Sequence, residues 1–346
     1  MATMKDIANL AGVSTATVSY VLNKTKKVTP EVESRVLQVI EKTHYRPNTI
    51  AKSLRMRKTN IISVLAEDIR GLPVPEIVDG ISEYMEQSEY QVLLSNLRLL
   101  DKLLNQYDKL GNYIDRVNQA MRLMENACVE GIIYVAMHDR HITGLRRPVH
   151  IPMVYAYATT DDEDALSVTY ENERSAYEIT RELIRLNHRR IALVAGHSAS
   201  SDARLRLDGF LAAMDEAGLA VPAEYMRWGD WEYQSGLEQC DRLLEMAVKP
   251  TAIFAMNDVM AAGCYRSIKN HGLNIPADIS VVGFDNQSFA KLINPPLTTV
   301  ELPNREIGRN AARTLLLRVN NQDIDTPALV LPCSLIERES VALCAK

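Results

Sequence analysis

The sequence predicts an α/β protein in which a small three-helix domain of helix-turn-helix type precedes a large doubly wound α/β domain. A helix-glycine-helix pattern between Met4 and Asn23 predicts the first domain, and short β-rich runs separated by helical stretches begin after Asn60. Residues 1 to 60 contain eleven Lys and Arg against four Asp and Glu, a local charge of +7. Because the whole chain carries −5, the other 286 residues carry −12. This asymmetry indicates a basic module for a polyanion, attached to an acidic body.

The helix-turn-helix prediction rests on apolar spacing and on two residues that mark helix ends. Gly12 interrupts the apolar run, and Ser14 stands where the cap of a second helix belongs. The residues expected on the inner faces are Ile7, Leu10 and Ala11 in the first helix and Val18, Val21 and Leu22 in the second. A third helix is expected to begin at Pro30, after a Thr29 cap, and to end near His44.

The outer face of the second helix carries short hydroxyl, methyl, phenol and amide groups, which can reach base edges and phosphates in a major groove. The residues expected to contact bases are Thr15, Ala16 and Tyr20. Those expected to fix the register on the DNA backbone are Ser14, Ser19 and Asn23, and those expected to add charge attraction are Lys5 and Lys24. An ordinary helical hairpin is the alternative, and the basic charge of this region favours DNA binding over it.

Residues 48–59 follow the first domain, which we place at residues 1–47, and they carry several cations around Leu54. One interpretation is a solvated linker between domains. The other is a hinge helix that orders only on DNA, with its cations on phosphates and Leu54 wedged between base pairs in the minor groove. Such an insertion costs on the order of a few kcal/mol, which a bent duplex offsets.

The remainder of the chain, residues 60–346, alternates predicted strands with predicted helices. The strand runs are IISVLAE, YQVLLSN, GIIYVA, IPMVYAY, RIALVAG, TAIFAM and ISVVGFD. The helical stretches include Pro75 to Gln87, Ser175 to Leu186, Arg206 to Ala217 and Asp258 to His271. Strands that are almost continuously apolar are typical of a parallel sheet covered on both faces. Ligand sites in such folds lie at the carboxyl ends of the strands.

Several ordered motifs together resemble the LacI/GalR family of bacterial transcription regulators, which includes the lactose, galactose and purine repressors. They are MKDIANLAGVSTATVSYVLN, HYRPNTIAKSL, FAMNDVMAAG, ISVVGFDN and PPLTTVELP, and they span essentially the whole chain. The resemblance implies a homodimer, or a higher assembly, that binds a pseudo-palindromic operator in double-stranded DNA. It also favours the hinge interpretation, with DNA contacts expected at Asn48, Ala51, Leu54 and Arg55.

The resemblance further implies a body like a periplasmic sugar-binding protein, with two subdomains joined by three crossovers and a ligand cleft between them. The first subdomain is expected at about 61–161 with 291–325, and the second at about 162–290 with 326–346. A ligand that closes the cleft would change the operator affinity of the dimer, and no cofactor is expected.

Polar and aromatic residues just after strands are the candidates for contact with an effector. They are Arg206, Trp231, Asn257, Asp285, Tyr155 and Tyr157. An arginine fork can bind vicinal hydroxyls or a carboxylate, and an indole can stack on the apolar face of a sugar ring. The alternatives are a structural salt bridge for Arg206, core packing for Trp231, and helix capping for Asp258 and the neighbouring polar strand ends.

The chain departs from the family pattern at three places. Tyr157 stands where much of the family has an acidic residue, and Leu72, Pro73 and Val74 stand where many relatives have an aromatic pair. The stretch between Asn96 and Gly131 is also about a dozen residues longer than usual. Its extra part within residues 97–126 is expected to be a solvated helix extension, with a cleft-lining, dimer-face or partner-binding role as the alternatives.

Other function classes lack their motifs. The chain has no recognisable enzyme motif, and the polar stretches HDRH (138–141) and DDED (161–164) are expected to be solvated loops and not metal sites. Five scattered cysteines indicate reduced thiols. With no membrane span or secretory signal, the chain is expected in the cytoplasm.

We therefore expect a transcriptional repressor of carbohydrate-utilisation genes that is controlled by a small-molecule effector, with a sugar favoured. The alternatives are the same DNA-binding role with a purine, a nucleoside or a protein co-effector, and a solute-binding protein without a DNA role.

Overall fold

The chain divides into two compact units, Met1–Thr59 and Asn60–Lys346, each with its own hydrophobic core. A computed structural model describes residues 2–24, 26–45, 59–103, 111–148, 150–162 and 164–345, with the side chain of Asn23 left out. No helix in these described ranges is both long and apolar enough to cross a membrane.

The described residues of the first unit form three helices, α1 (Met4–Ala11), α2 (Thr15–Asn23) and α3 (Pro30–Thr43). Their shared core consists of Ile7, Ala8, Ala11, Val18, Val21 and Val36. Leu10 was expected on the inner face of α1, but 65% of its surface is exposed. The expectation is wrong because Ile7 and Ala11, one helical turn apart, already fill the inner face of α1. The side chain of Leu10 leaves the helix in a different direction and lies outside that face.

Local chemistry sets the ends of these helices. Thr3 and Asp6 form a reciprocal capping box at the start of α1, and Gly12 ends that helix with φ of 63°. Ser14 accepts a hydrogen bond from the Thr17 backbone N–H at 3.1 Å, so α2 begins where the sequence predicts. Thr29 precedes α3 without making a side-chain cap bond.

In the part of the second unit that the structure describes, the strands form three sheets. The strands are β1 (Ile61–Ala66), β2 (Gln91–Asn96), β3 (Gly131–Ile142), β4 (Met153–Thr160), β5 (Leu166–Tyr170), β6 (Ile191–Ala195), β7 (Met226–Trp228), β8 (Ala252–Ala255), β9 (Ser280–Val282), β10 (Thr299–Glu301), β11 (Ala328–Leu331) and β12 (Ser334–Ile336). The six-stranded sheet has the order β11-β5-β4-β3-β1-β2 and is parallel throughout. The four-stranded sheet, β7-β6-β8-β9, is also parallel, and β10 pairs with β12 antiparallel.

Helices connect these strands. They are α4 (Val74–Met85), α5 (Leu100–Leu103), α6 (Ile114–Asn126), α7 (Asn172–Arg185), α8 (Ser201–Glu216), α9 (Tyr233–Leu244), α10 (Asp258–Asn270) and α11 (Asn304–Val319). Helices α4 and α11 cross at two glycines. A Cβ at Gly80 would lie 2.1 Å from the Arg305 carbonyl oxygen, and one at Gly308 would lie 2.0 Å from that of Ile77. Only glycine allows the two backbones to approach this closely.

The strand pairing differs from the expected division into subdomains. Strand β5 pairs with β4, and β11 pairs with β5, so both belong to the six-stranded sheet. The expected boundary after residue 161 and the assignment of the whole C-terminal run to the second subdomain are therefore wrong. The physical reason is that the chain leaves the first sheet only after β5 has been added to its edge, at Tyr170.

The long stretch between β2 and β3 is more than a solvated extension. Helix α6 has an apolar side that is buried in the main core, formed by Val117, Ala120, Met121 and Met124. The short helix α5 also buries Leu103. Residues 104–110 lie outside the described residues.

Candidate functional site

A cavity of about 300 Å³ lies within the second unit where strand ends of the six-stranded and four-stranded sheets meet. One side is formed by His138 and Tyr157, from β3 and β4, and by the loop 70–73 after β1. The other side is formed by residues of α8 and of the segments that follow β7, β8 and β9. From that side, the sequence-predicted residues in the lining are Arg206, Trp231, Asn257 and Asp285. A cavity at carboxyl strand ends is the usual ligand position in open α/β sheets.

Arg206 is the centre of the polar network in this cavity and is 3% exposed. Its Nε donates to Asn172 Oδ1 at 2.9 Å, and its Nη2 donates to the Tyr170 hydroxyl at 3.1 Å. Its Nη1 donates to the Met256 carbonyl oxygen and lies 3.5 Å from Asp285 Oδ1. These contacts hold the guanidinium in one orientation, so it presents a fixed cation to the cavity.

Buried carboxyl groups surround this cation. Burial raises the pKa of Asp285 to about 8 and that of Asp139 to about 7, and it also raises the pKa of Asp202. For His138, burial and the cations Arg140 and Arg206 lower the pKa to about 3, so its imidazole is neutral near pH 7. Near pH 7 the Asp285 carboxyl therefore largely keeps its proton and the His138 imidazole is neutral, so both groups can donate to and accept from hydroxyl groups.

Trp231 forms an aromatic wall beside Arg206. Its backbone has φ of 76°, and the Asn257 amide donates to its carbonyl oxygen at 2.9 Å. The indole passes directly over Gly196, where an added Cβ would lie 2.2 Å from ring carbons. The indole Nε1 is buried and has no hydrogen-bond partner among the described residues. A flat ring with an unsatisfied donor suits a ligand that is both stacked and hydrogen-bonded.

Asn257 and Asp258 support the site from the start of α10. Asn257 accepts from the Met260 backbone N–H at 2.8 Å and so caps the helix, while its amide holds the Trp231 loop. Asp258 accepts from the Thr299 hydroxyl and from the Gln287 backbone N–H, both at 2.6 Å. The helix cap expected at Asp258 is therefore provided by Asn257. Asp258 instead connects α10 to the loop that follows β9.

The two tyrosines of β4 have different positions. Tyr157 lines the cavity, with φ of 66° and its ring centre 5.0 Å from that of Tyr170. Tyr155 does not line the cavity. It is 1% exposed and lies in the sheet interior, with its ring centre 5.9 Å from that of Tyr134. The expected effector contact at Tyr155 has no support in this position.

Several lining residues were not among the sequence-derived candidates. Asp202 accepts from the Tyr170 hydroxyl at 2.9 Å and from the Asn172 amide at 2.5 Å. Asp202 shares a face of α8 with Arg206, four residues later, but the helix predicted from Arg206 to Ala217 began too late to include it. His138 carried no signal, since the HDRH stretch was expected to be a loop. Residues 138–141 instead lie within β3, and that expectation is wrong.

The residues expected to contact DNA lie on the outside of the first unit. The exposed ones are Lys5, Ser14, Thr15, Ala16 and Lys24, and the half-buried ones are Ser19 and Tyr20. Lys26 places its ammonium 5.2 Å from the Tyr20 ring centre. The side chain of Asn23 and the hinge candidates Asn48, Ala51, Leu54 and Arg55 lie outside the described residues.

Comparison with known proteins decides the family. Residues 3–48 match the family described as bacterial regulatory proteins, lacI family, and residues 180–341 match the periplasmic binding protein-like domain. The chain is 32% identical to the HTH-type transcriptional repressor PurR of Vibrio atlanticus (strain LGP32) over 343 residues, which cover 99% of each protein. The chain belongs to the lacI family.

Further lacI-family proteins are similar over the same length. The ribose operon repressor of Haemophilus influenzae is 29% identical over 341 residues, 99% of each protein. The crystal structure of the lac repressor dimer bound to operator and the anti-inducer ONPF matches with a TM-score of 0.81 and 27% identity over 99% of each chain. The complex of the transcriptional regulator CelR with cellobiose matches with a TM-score of 0.67 and 26% identity, over 98% of this chain and 100% of that one.

Membership in the lacI family, together with these relatives, identifies the chain as a DNA-binding transcriptional repressor with an effector-binding domain. The alternative of a solute-binding protein without a DNA role is wrong, because the match over residues 3–48 is to the family's DNA-binding region.

Proposed function

We propose that this lacI-family repressor binds a hydroxyl-rich small molecule, a sugar, in the 300 Å³ cavity, and that the ligand controls its affinity for the operator. The observation that carries this proposal is the position of Arg206 between Asp285 and Trp231. The guanidinium carbon lies 5.6 Å from the Trp231 ring centre, and Nη1 lies 3.5 Å from the Asp285 carboxylate. A fixed donor, a carboxyl and an indole face together match the hydroxyls and the apolar face of a sugar ring.

Known relatives support a sugar without excluding a purine. The CelR structure holds cellobiose, and one curated relative is a ribose operon repressor, whereas others are PurR proteins. A purine would stack on Trp231 equally well, but it has fewer donors for the carboxyls that surround Arg206. The polar groups of the cavity therefore favour the sugar.

On the DNA side, we place the operator contacts on the outer face of α2. Thr15 and Ala16 are exposed at its first turn, where recognition helices contact base edges, and Tyr20 follows on the same side. The lac repressor structure is a dimer on operator DNA, and a homodimer of this chain would read a pseudo-palindrome in the bacterial cytoplasm. The hinge residues, Leu54 among them, would then order in the minor groove.

Operator binding measured by fluorescence anisotropy tests the proposal. Genomic fragments selected by the protein itself serve as probes, and each titration is repeated with sugars, sugar phosphates, nucleosides and purines. A shift in affinity with a sugar supports the proposal, and a shift with purines alone overturns the sugar assignment. Failure to find any sequence-specific DNA binding would contradict the repressor role itself.

A further inference from the structure

A second cavity of about 430 Å³ lies beside the one described above and shares only His138 with it. Its lining combines the end of β3, the start of α8 and Gly111 from the long stretch before α6. Cationic and hydroxyl side chains dominate the lining. Those that bear on ligand binding are Arg140, Arg204, His141, Thr143, Ser200 and Ser201.

Arg140 lines this cavity and carries donors without a hydrogen-bond partner in the residues that the structure describes. Its side chain is 8% exposed, and its Nη2 donates to the buried carboxylate of Glu67. Glu67 also accepts from the Tyr134 hydroxyl at 2.5 Å and from the Met137 backbone N–H at 2.9 Å. Nε and Nη1 of Arg140 are buried without a hydrogen-bond partner among the described residues. Leaving such charged donors unsatisfied is costly, so an acceptor is expected there.

The start of α8 contributes a second, independent set of donors. Ser200 is 2% exposed and stands at the N-cap position, yet its hydroxyl makes no cap bond and has no partner in the described part of the chain. The helix that follows is sixteen residues long, and its positive end attracts an anion. Arg204, one turn further on, is exposed, and no ion pair joins it to another described residue.

Acidic groups around the cavity are already engaged. Glu67 is paired with Arg140, and Asp161 lies 2.6 Å from Nε2 of His141. Asp202, in the first turn of α8, accepts hydrogen bonds from the Tyr170 hydroxyl and the Asn172 amide. No described carboxylate forms an ion pair with Arg204, whereas the positive end of α8 already has Asp202 in its first turn.

We propose that this second cavity binds an oxyanion, of the phosphate or carboxylate class, held by Arg140, Arg204 and Ser200 at the start of α8. Two sources would present the same chemistry. One is a small anion bound by itself. The other is the phosphoryl group of a sugar phosphate whose ring lies in the first cavity, on the other side of His138. The donors of the second cavity are present whatever molecule occupies the first.

Isothermal titration of the full-length protein with inorganic phosphate, without DNA, tests the proposal. Arg204→Gln is the main variant because Arg204 is exposed and its loss leaves no buried charge. We expect saturable binding to the wild type and about tenfold weaker binding to Arg204→Gln, since a charge-assisted hydrogen bond contributes about 1.5 to 3 kcal/mol. Ser200→Ala should weaken binding less, because it removes a neutral donor. The matched control is Arg189→Gln, since Arg189 is an exposed arginine outside both cavities.

Three outcomes would overturn the proposal. They are no saturable phosphate binding, equal binding to wild type and Arg204→Gln, and an equal loss in Arg189→Gln. A paired titration with glucose and glucose 6-phosphate separates the two sources. A single bridging ligand binds more tightly than phosphate and is weakened by Arg204→Gln and by a change at Arg206. A separate anion binds equally well with and without glucose and is insensitive to the change at Arg206.

Discussion

Arg206 and Asp285 lie side by side in the wall of the first cavity, with Nη1 of the guanidinium 3.5 Å from Oδ1 of the carboxyl group. Both side chains are buried, and the cation also lies 3.8 Å above the Phe284 ring centre. Asp202 and Asp139 lie near the same guanidinium, so one fixed cation faces three carboxyl groups. A single cation cannot keep all three ionised in a buried site, and the acidity of this cluster is therefore a measurable property.

The contribution of Asp285 to the stability of the unliganded protein should fall as pH rises from about 4 to about 8. Burial raises the pKa of Asp285 from 3.8 to about 8, so over this range the folded chain holds a proton that the unfolded chain has lost. Stability falls wherever the folded state binds more protons. Asp285→Asn should make thermal unfolding less dependent on pH, whereas Asp215→Asn, at an exposed position, should not. An unchanged pH dependence in Asp285→Asn would contradict the raised pKa.

Arg206→Lys should abolish the response to the effector while leaving operator affinity intact. Lysine keeps the charge but cannot make the bonds that Arg206 makes to Asn172, Tyr170 and Met256. The loss of several buried bonds should also lower the melting temperature, by about 2 to 4 °C for each kcal/mol in a domain of this size. Operator titrations with and without effector measure the first effect, and differential scanning calorimetry measures the second. A normal effector titration would remove Arg206 from the ligand site.

Gly196→Ala should weaken effector binding by about tenfold, because a Cβ would meet the Trp231 indole at 2.2 Å and displace it. Overpacking of this kind costs about 1 to 3 kcal/mol. Gly218→Ala is the control, since Gly218 lies outside both cavities and no described residue lies within 4 Å of its added Cβ. The quenching of tryptophan fluorescence by the effector reports on both variants. Equal affinity in the two variants would show that the indole does not contact the ligand.

Ser14→Ala should destabilise α2 by about 1 kcal/mol, because it removes the cap bond to the Thr17 backbone N–H. Thr29→Ala offers a matched control, since Thr29 precedes α3 without a side-chain cap bond. Amide hydrogen exchange in the full-length protein measures the protection of each helix. We expect about a fivefold loss of protection in α2 and a smaller loss in α3, and equal losses would contradict this view of Ser14.

Helix ends, which depend on neighbouring residues, were predictable from the sequence. Strand pairings between segments far apart in the chain were not. The helix ends at Gly12 and Ser14 follow from local chemistry, and the sequence predicts both. Strand β5 was missed because its sequence, LSVTY, alternates apolar and polar residues and lacks the continuous apolar run of its neighbours. Its place between β4 and β11 depends on pairings with segments on either side of it, which no local pattern contains.

The site shows the same division. Arg206 and Asp285 were found because each follows a predicted strand, whereas Trp231 was found because an indole can stack on a sugar ring and the family has an aromatic residue at this place. Tyr155 and Tyr157 are two residues apart and would share a face in a regular strand, so the sequence suggested the same role for both. The left-handed backbone at Tyr157 breaks that alternation, and a tyrosine gives no local signal for such a conformation.

Three cavity residues, Tyr157, Trp231 and Asp285, have φ values of 66°, 76° and 105°. This backbone conformation costs a bulky side chain on the order of 1 to 3 kcal/mol and persists only where the surroundings impose it. The substitutions tolerated at these three positions are therefore limited by the backbone conformation as well as by contact with the ligand. New ligand preferences would evolve more readily at lining positions with ordinary backbone, such as Leu72 and Val259, and a library for altered specificity should randomise these first.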